Sequence, residues 1–400
     1  MRGPAEPRRG RALEELAIIQ DGSVLISDGV LCEVGPTRRV ENLALARKAI
    51  EVNAAGRVVM PGFVDSHTHL LFPLLRNGES AQFESAQSIR TMGSSRLAAK
   101  ARAHLEAMAR HGTTTVEVKT GCGPDPVAET TILRVLAGLK EKPVDVTPTF
   151  LLRLPPSKIG PEAHWAAIED WMGKEFLPKL RRRKMAHFAD LCLRDHTGPL
   201  STWTHYLHLV ERSGLRLKLH AEGTATGQAV ELAMRHEAIS IDHLEHATAD
   251  DAAALGRAET IATLLPCHSF HHDGRYAPAR GLIDAGAAVA LATNYNPCLT
   301  PTLNMQTAIK LACCRMGMTA AEAVSAATIN GAHALGCAER IGSLEPGKAG
   351  DVLVLNVADY RELAHTFGAN LVHTTVKRGE IIWEEGKVAP RQSNDLRPSW

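Results

Sequence analysis

The chain has 400 residues, of which 44% are hydrophobic and 22% charged, and its formal net charge is +1. This composition is typical of a globular protein, and the small charge gives no electrostatic reason to expect a nucleic acid or an anionic membrane as partner. The basic segment 1–11 is not followed by the apolar core of a signal peptide, and no apolar run approaches the roughly 18 residues of a membrane span. The eight cysteines form no CxxC pair, so we expect free thiols and a cytoplasmic location.

Short β-type runs separated by Asp-Gly, Asn and Gly turn signals occupy residues 17–59. From about residue 58 to 297, eight strand-like apolar runs alternate with helical patterns such as the one at 96–112. The eight runs are VVMPGFVDS, TTTVEVKT, VDVTPTFLL, HFADLCL, LRLKLHAE, AISIDHLEH, TIATLLPCHS and AAVALATNY. Eight strand-helix units predict a (β/α)8 TIM-type barrel of the α/β class, with a doubly wound open sheet as the competing topology.

The C-terminal tail returns to short strands with Gly turns, in GSLEPGKAGDVLVLNV and LVHTTVKRGEIIWEEGK. We expect these strands to pair with the N-terminal ones in a small β-sandwich domain beside the barrel. Residues 1–57 are then the N-terminal part of the small domain, 58–344 the barrel, and 345–400 the C-terminal part. Because no low-complexity linker separates these parts, we expect them to pack rigidly.

Histidines follow or end several predicted barrel strands. His67 and His69 lie in GFVDSHTHL, and because extended residues two apart point to the same side, both imidazoles can reach one point. His220 ends the fifth strand and His243 the sixth. Neutral imidazole is a common ligand of Zn and suits Fe, and a catalytic site needs about three protein ligands plus an open position. The simpler interpretation of His67 and His69 is a pair of polar residues at a strand end.

Six motifs resemble imidazolonepropionase, within the metal-dependent amidohydrolase superfamily. They are VVMPGFVDSHTHLLF, HGTTTVEVKTGCG, LHAE, SIDHLEH, YAPARGLIDAGAAVALATNYNP and GSLEPGKAGDVLVL. The resemblance runs from about residue 18 to 385 and keeps the order of the motifs. It implies a hydrolase that uses one Zn or Fe ion to open the ring of 4-imidazolone-5-propanoate with water, giving N-formimidoyl-glutamate in histidine degradation. It also implies a small-molecule substrate with a carboxylate tail, and a homodimer.

The resemblance further implies a set of site residues. It assigns His67, His69 and His220 as metal ligands. His243 is assigned as an acid/base or substrate-contacting residue, and Arg76 and Asn296 as substrate contacts. Arg76 would meet the substrate carboxylate through the bidentate geometry of guanidinium. Asn296 would meet the substrate through hydrogen bonds.

The chain departs from the family pattern at several of these places. The family's Thr-Asp-Phe-Asn-Pro is TNYNP here, so Asn294 replaces an aspartate that normally contacts the metal and takes a proton from water. An amide oxygen can approach a metal, so Asn294 is predicted as a fourth metal ligand, but an amide is no base. Cys122 replaces a substrate-binding tyrosine and is itself predicted to line the substrate site, and Leu154 stands where a histidine is expected. Glu222 keeps a carboxylate that is shifted by one residue.

With Asn294 in place, the proton would pass to His243, Glu222 or a histidine of the segment CHSFHHDG, 267–274. That segment carries His268, His271 and His272. A solvated polar loop is the alternative interpretation of it. Lys119, at the end of VEVKTG, is expected to form a structural ion pair or to contact the substrate.

Three functions stay open from the sequence. The first is a metal-dependent amidohydrolase most like imidazolonepropionase, and the second is the same chemistry on a different lactam or heterocycle. The third is a non-catalytic binding homologue. Asn294 and Leu154 favour it, because they replace an aspartate and a histidine of the family pattern. The fold alone does not decide among them, because function lies in the site.

Overall fold

The computed structural model describes residues 6–72, 81–123, 125–139, 143–153, 162–193, 200–272 and 274–387. Within these ranges the strands form a two-stranded, an eight-stranded and a four-stranded sheet. In chain order the strands are β1 Gly22–Ser27, β2 Val30–Pro36, β3 Val59–Pro61, β4 Phe63–Asp65, β5 Thr113–Lys119, β6 Asp145–Arg153, β7 Phe188–Leu193, β8 Arg216–Ala221, β9 Ser240–Asp242, β10 Ile261–Leu264, β11 Val289–Leu291, β12 Val352–Leu355, β13 Val372–Lys377 and β14 Glu380–Glu384.

Strands β4 to β11 form the eight-stranded sheet, and each pairs in parallel with the next strand along the chain. The first and last strands approach each other just beyond their ends, where Thr68 and Tyr295 form a parallel bridge. The backbone N–H of His69 donates to the carbonyl oxygen of Tyr295 at 2.7 Å. Asp65 Oδ1 accepts from the backbone N–H of Thr293 at 3.0 Å. These contacts draw the sheet together, and the predicted (β/α)8 barrel is confirmed.

Helices occupy the connections between the barrel strands. In chain order the helices are α1 Thr37–Val40, α2 Ala81–Thr91, α3 Ser94–Arg110, α4 Pro126–Gly138, α5 Glu162–Trp171, α6 Leu177–Arg182, α7 Leu200–Ser213, α8 Thr226–Arg235, α9 Ala249–Arg257, α10 Pro266–His271, α11 Ala279–Asp284, α12 Met305–Met316, α13 Ala320–Ala326, α14 Ile329–Ala334 and α15 Glu362–His365. Of these, α2 to α11 lie between barrel strands, α12 to α14 follow the last barrel strand, and α1 and α15 belong to the terminal segments. Helices α3 and α4 show why these segments fold. In α3, Leu97, Ala101, Leu105 and Met108 recur at helical spacing and are buried together. Helix α4 begins where the Asp125 side chain accepts from two backbone N–H groups. No helix within the described ranges is long and apolar enough to cross a membrane.

The small β-domain combines segments from both chain ends. Strand β3 pairs antiparallel with β12, which completes the four-stranded sheet in the order β14-β13-β12-β3. The β1–β2 hairpin turns at Asp28-Gly29, where both residues have positive φ, as a two-residue hairpin turn of this type requires. This hairpin packs on the four-stranded sheet around an apolar cluster formed by Leu31, Val34, Leu344, Val352 and Val376. The predicted small sandwich built from both termini is therefore present.

The run VVMPGFVDS, predicted as one barrel strand, is divided between two sheets. Its first part is β3 in the small sheet, and its second part is β4 in the barrel. Pro61 lacks a backbone N–H and cannot continue the ladder. A Cβ atom at Gly62 would lie 2.2 Å from Thr114 Oγ1, so only glycine fits the crossing point. The Pro-Gly pair thus joins the small domain directly to the first barrel strand.

Candidate metal centre and catalytic site

The predicted site residues meet at the carboxyl ends of the barrel strands. His67 and His69 follow β4, His220 lies in β8, His243 follows β9, and Asn294 follows β11. All five side chains are buried. His243 and Asn294 have positive φ, 62° and 52°, a left-handed conformation that is uncommon outside glycine and clusters at functional sites. The barrel therefore brings together residues that lie up to 227 positions apart, from His67 to Asn294.

Imidazole nitrogens face one another across this site. His67 Nε2 lies 3.2 Å from His69 Nε2. Two nitrogens that each sit about 2.0–2.1 Å from one tetrahedral zinc ion would be separated by roughly 3.3 Å. The ring of His220 is centred 5.0 Å from that of His67 and 4.2 Å from that of His243. His67, His220 and His243 each offer a ring nitrogen within 4.8 Å of the others.

Unpartnered polar atoms and neutral imidazoles make the site compatible with a metal ion. His69 Nδ1, His220 Nδ1 and Asn294 Oδ1 are buried and have no hydrogen-bond partner. Such atoms are rare in folded proteins and call for a missing partner. Burial, with help from neighbouring positive groups, holds the pKa of His67, His69 and His220 well below its usual value. The three imidazoles are therefore neutral and have lone pairs for a cation.

Asp242 orients His67 in this arrangement. The ring N–H of His67 at Nδ1 donates to Asp242 Oδ2 at 2.7 Å, which leaves the Nε2 lone pair directed toward His69. A carboxylate behind a ligating histidine fixes the tautomer and the ring orientation. Asp242 is not among the residues predicted from the sequence. Its place in the strand SID, directly before His243, could have indicated a carboxylate near the predicted site.

A fully buried charge network supports Asp242 from beneath. Lys119 Nζ donates to Asp190 Oδ2 at 2.6 Å and lies 2.9 Å from Asp242 Oδ2, while Lys218 Nζ donates to Glu117 Oε2 at 2.8 Å. Burial raises the pKa of Asp190. Burial also opposes the ionisation of Asp242, but Lys119 and Lys218 outweigh it and lower the pKa of that carboxyl. Lys119 therefore forms structural ion pairs, one of the two roles expected for it.

His243 and Glu222 are the two predicted acid/base groups beside the histidines. His243 Nδ1 lies 3.6 Å from Glu245 Oε2. Burial opposes protonation of His243, but Glu245 outweighs it and raises the pKa of the imidazole. Glu222 Oε1 is hydrogen-bonded to His220 Nε2 at 2.7 Å, so this carboxylate is engaged by a predicted metal ligand.

One histidine of the segment 267–274 enters the site. His268 Nδ1 lies 3.2 Å from Asn294 Nδ2, and its ring is centred 4.6 Å from that of His243. Burial, followed by the charge of His243, lowers the pKa of His268 to about 3. A neutral His268 accepts at Nδ1 from the amide N–H of Asn294, which leaves Asn294 Oδ1 as the atom without a partner.

The other two histidines of this segment lie at the surface. His271 Nε2 is hydrogen-bonded to Thr302 Oγ1 at 3.1 Å, and both His271 and His272 are exposed. The segment is not only a loop, because Pro266 starts the short helix α10. The helix turns His268 inward and His271 outward. The two interpretations of this segment, a histidine that enters the site and a solvated polar loop, therefore each describe part of it.

The family comparisons agree with this geometry. The Amidohydrolase family profile matches residues 58–146 and 204–382. The chain is 38% identical to the imidazolonepropionase of Parabacteroides distasonis over 94% of both chains, and 36% identical to that of Solibacter usitatus over 95% of both. The chain belongs to the imidazolonepropionase family of amidohydrolases. The fold also resembles atrazine chlorohydrolase from Arthrobacter aurescens TC1 complexed with zinc, with a TM-score of 0.71, 17% identity, and coverage of 92% of this chain and 91% of that one.

Membership in the imidazolonepropionase family makes the chain a hydrolase that acts on C–N bonds in cyclic amides. One residue that the resemblance links to the substrate, Asn296, has its side chain engaged by local structure. Asn296 Oδ1 accepts from the backbone N–H groups of Cys298 and Leu299, at 2.9 and 3.2 Å, and so caps the loop after β11. The oxygen of Asn296 is thus engaged within its own loop.

Cys122 is buried in the structure, and burial raises the pKa of its thiol well above its usual value. Its backbone N–H donates to Glu129 Oε1 at 2.7 Å, which anchors the loop after β5 to helix α4. The assignment of Cys122 to substrate binding stays a prediction. Arg76 and Leu154 lie outside the described residues, so the predicted carboxylate contact of Arg76 also stays a prediction.

Proposed function

We propose that this chain opens the five-membered ring of 4-imidazolone-5-propanoate by adding water, giving N-formimidoyl-glutamate. The observation that carries the proposal is the pair of ring nitrogens of His67 and His69, 3.2 Å apart, with the ring of His220 centred 5.0 Å from that of His67. Relatives named imidazolonepropionase at 38% and 36% identity over nearly the whole chain support this substrate. The place of the site at the carboxyl ends of the barrel strands supports it as well.

The proposed metal is one zinc or iron ion held by His67, His69 and His220. Asn294 Oδ1 is the fourth protein atom available to it, because that oxygen is buried and unpartnered. Imidazole ligands suit both metals, and zinc is the ion in the similar atrazine chlorohydrolase structure. When bound, such an ion lowers the pKa of a water molecule and polarises the carbonyl oxygen of the substrate.

His243 is the proposed acid/base. It is buried, its ring is centred 4.2 Å from that of His220, and Glu245 lies 3.6 Å from its Nδ1 on the other side. A base whose second nitrogen faces an orienting carboxylate is the arrangement that recurs in hydrolytic sites. Glu222 is less available, because its Oε1 already bonds His220 Nε2.

His268 is a positioning residue in this proposal. By accepting from the Asn294 amide N–H, it engages the amide nitrogen and leaves the amide oxygen as the atom without a partner. An aspartate needs no such help, because both of its oxygens are equivalent acceptors. The imidazole therefore compensates in part for the replacement of the family's aspartate by Asn294.

A second cyclic amide is the alternative substrate. The observation that favours it is Cys122, a buried thiol at a place where the resemblance expects a tyrosine hydroxyl. A site that lacks a hydrogen-bonding group no longer discriminates for the substrate group that needed it. Arg76 is the proposed anchor for the carboxylate tail of the primary substrate, since guanidinium binds carboxylate bidentately.

The test combines metal analysis of purified protein with ring-opening assays on imidazolone propionate and on related lactams. We expect one transition metal per chain at the catalytic site and turnover of imidazolone propionate. His67→Ala combined with His69→Ala should lose the metal and the activity, whereas His365→Ala, at an exposed histidine of α15, should keep both. Turnover confined to another lactam would establish the alternative substrate. Full catalytic metal in the double variant would overturn the ligand assignment.

A further inference from the structure

A second group of potential metal ligands lies between helices α7 and α8, outside the catalytic site. His208 and Glu211 are on α7, and His236 directly follows α8. His208 Nδ1 is 3.0 Å from Glu211 Oε2, and His236 Nδ1 is 2.6 Å from Glu211 Oε1. The two imidazole rings are centred 5.2 Å apart. One carboxylate is therefore held between two imidazoles that come from different helices.

The donor set and its spacing suit a transition metal. Each of the three residues offers one ligand atom within 4.8 Å of the others, so modest side-chain rotations bring all three to one ion. Two histidines and one glutamate form a known zinc ligand set, with a further position left for water. His208 and Glu211 are three residues apart on one helix and share a face.

Burial differs among the three residues in a way that favours a bound ion. The side chain of His236 is only 4% exposed, so its position is fixed by packing. The side chains of His208 and Glu211 are 58% and 44% exposed. The cluster thus combines one rigid ligand with two that are open to solvent, through which an ion can enter.

This cluster lies at the end of the barrel opposite the catalytic site. Helix α7 ends at Ser213, just before β8 begins at Arg216, and His236 precedes β9, which begins at Ser240. His220 and His243 lie at the other ends of these same two strands. At about 3.3 Å per residue, the length of β8 separates the two groups by roughly 15 Å or more.

We propose that His208, Glu211 and His236 bind one divalent transition metal ion of the Zn²⁺ class, which ties α7 to the end of α8. The ion is separate from the catalytic metal and does not take part in ring opening. Because an ion that binds only the folded state stabilises it, occupancy of this site raises the melting temperature of the protein. The proposal does not depend on the identity of the substrate.

The test is a calorimetric titration of the full-length protein with Zn²⁺, after the catalytic site has been loaded. Wild type should bind one further equivalent, and Zn²⁺ should raise its melting temperature. His208→Ala and Glu211→Gln should weaken this binding by at least about tenfold and remove the thermal shift, while ring opening is unchanged. His208 is exposed, so its replacement should leave folding intact.

His205→Ala is the matched control. His205 lies on the same helix and pairs with Glu169 at 3.8 Å, but among the described residues this pair belongs to no group of three potential metal ligands. The control should bind the second equivalent as wild type does. Absence of a second equivalent in wild type, or equally tight binding by His208→Ala and His205→Ala, would overturn the proposal and leave a cluster held by hydrogen bonds only.

Discussion

Asn294 Nδ2 lies 3.2 Å from His268 Nδ1 at the mouth of the histidine cluster. The contact links a residue that follows β11 to one in α10, 26 positions earlier in the chain. Because the imidazole accepts from the amide N–H, the oxygen of Asn294 is left without a hydrogen-bond partner. It is a neutral oxygen and a weaker metal ligand than a carboxylate. The pair accounts for how an asparagine can occupy a place where the resemblance expects a carboxylate.

Asn294→Asp tests whether the base has moved away from this position. The added negative charge should strengthen metal binding, measured by competition with a chelator. Turnover should change by less than about tenfold if His243 takes the proton as proposed, whereas restoring a missing general base would give about 10²–10⁴-fold. A gain in that larger range would show that the wild-type site lacks a working base and that His243 is wrongly assigned.

His268→Ala tests the positioning role of the imidazole. Loss of a side chain that orients a metal-facing group typically costs about 10–100-fold in metal affinity or activity, and we expect a loss in this range. His271→Ala is the matched control, since His271 is exposed and bonds only Thr302 among the side chains described. Steady-state kinetics and metal affinity measure both. Equal effects of the two substitutions would contradict the role given to His268.

Two substitutions, Asp242→Asn and Asp190→Asn, distinguish two roles of a carboxylate: orienting the ring of His67 and pairing with the buried charge of Lys119. Both substitutions remove a carboxylate from buried Lys119, and breaking a buried ion pair costs about 3–5 kcal/mol of folding stability. Only Asp242 also accepts from His67 Nδ1. We therefore expect similar losses in denaturant unfolding, but a loss of about 10–100-fold in metal affinity for Asp242→Asn alone. Matching metal affinities in the two variants would show that His67 does not depend on Asp242.

Glu129→Gln tests a pH dependence of stability that arises away from the catalytic histidines. Burial raises the pKa of Glu129 to about 8, above the 4.5 of an exposed carboxyl. Between these values the unfolded state binds fewer protons than the folded state, so stability falls as the pH rises from about 4.5 to about 8. Glutamine keeps an oxygen for the Gly121 and Cys122 backbone N–H groups and carries no charge.

The expected result is a higher melting temperature for Glu129→Gln than for wild type at pH 9, with a smaller difference at pH 5. Glu106→Gln, at an exposed position of α3, serves as the control and should match wild type at both values. A Glu129→Gln variant that is less stable than wild type at pH 9 would mean that the charged carboxylate stabilises the fold.

The eight strands could be predicted because each is a short apolar run bounded by turn residues and followed by a helical pattern. The histidines at strand ends could also be predicted to converge, since a barrel brings those ends to one face. The division of VVMPGFVDS could not, because Val58 to Ser66 reads as one extended run. In the structure one sheet ends and the next begins at Gly62, where Thr114 packs too closely for any side chain.

The supporting network of the site was beyond sequence reasoning for a different reason. Glu117 bonds Lys218, 101 residues later, and His67 bonds Asp242, 175 residues later. Such pairs join strands that are not adjacent in the sheet, β5 with β8 and the end of β4 with β9, so a single sequence does not specify them. The inward turn of His268 likewise depends on helix α10, which starts at Pro266 within a segment that reads as a polar loop.

The most direct test of the account measures the rate of ring opening of imidazolone propionate and the metal content in the same samples. Wild type and the variant with His67→Ala and His69→Ala are compared after metal removal and stepwise reloading. The wild-type rate should rise with metal and stop rising once one catalytic equivalent is bound, while the variant should show no rate at any metal concentration. Metal-loaded wild type that opens no cyclic amide, or a variant that keeps the wild-type rate, would contradict it.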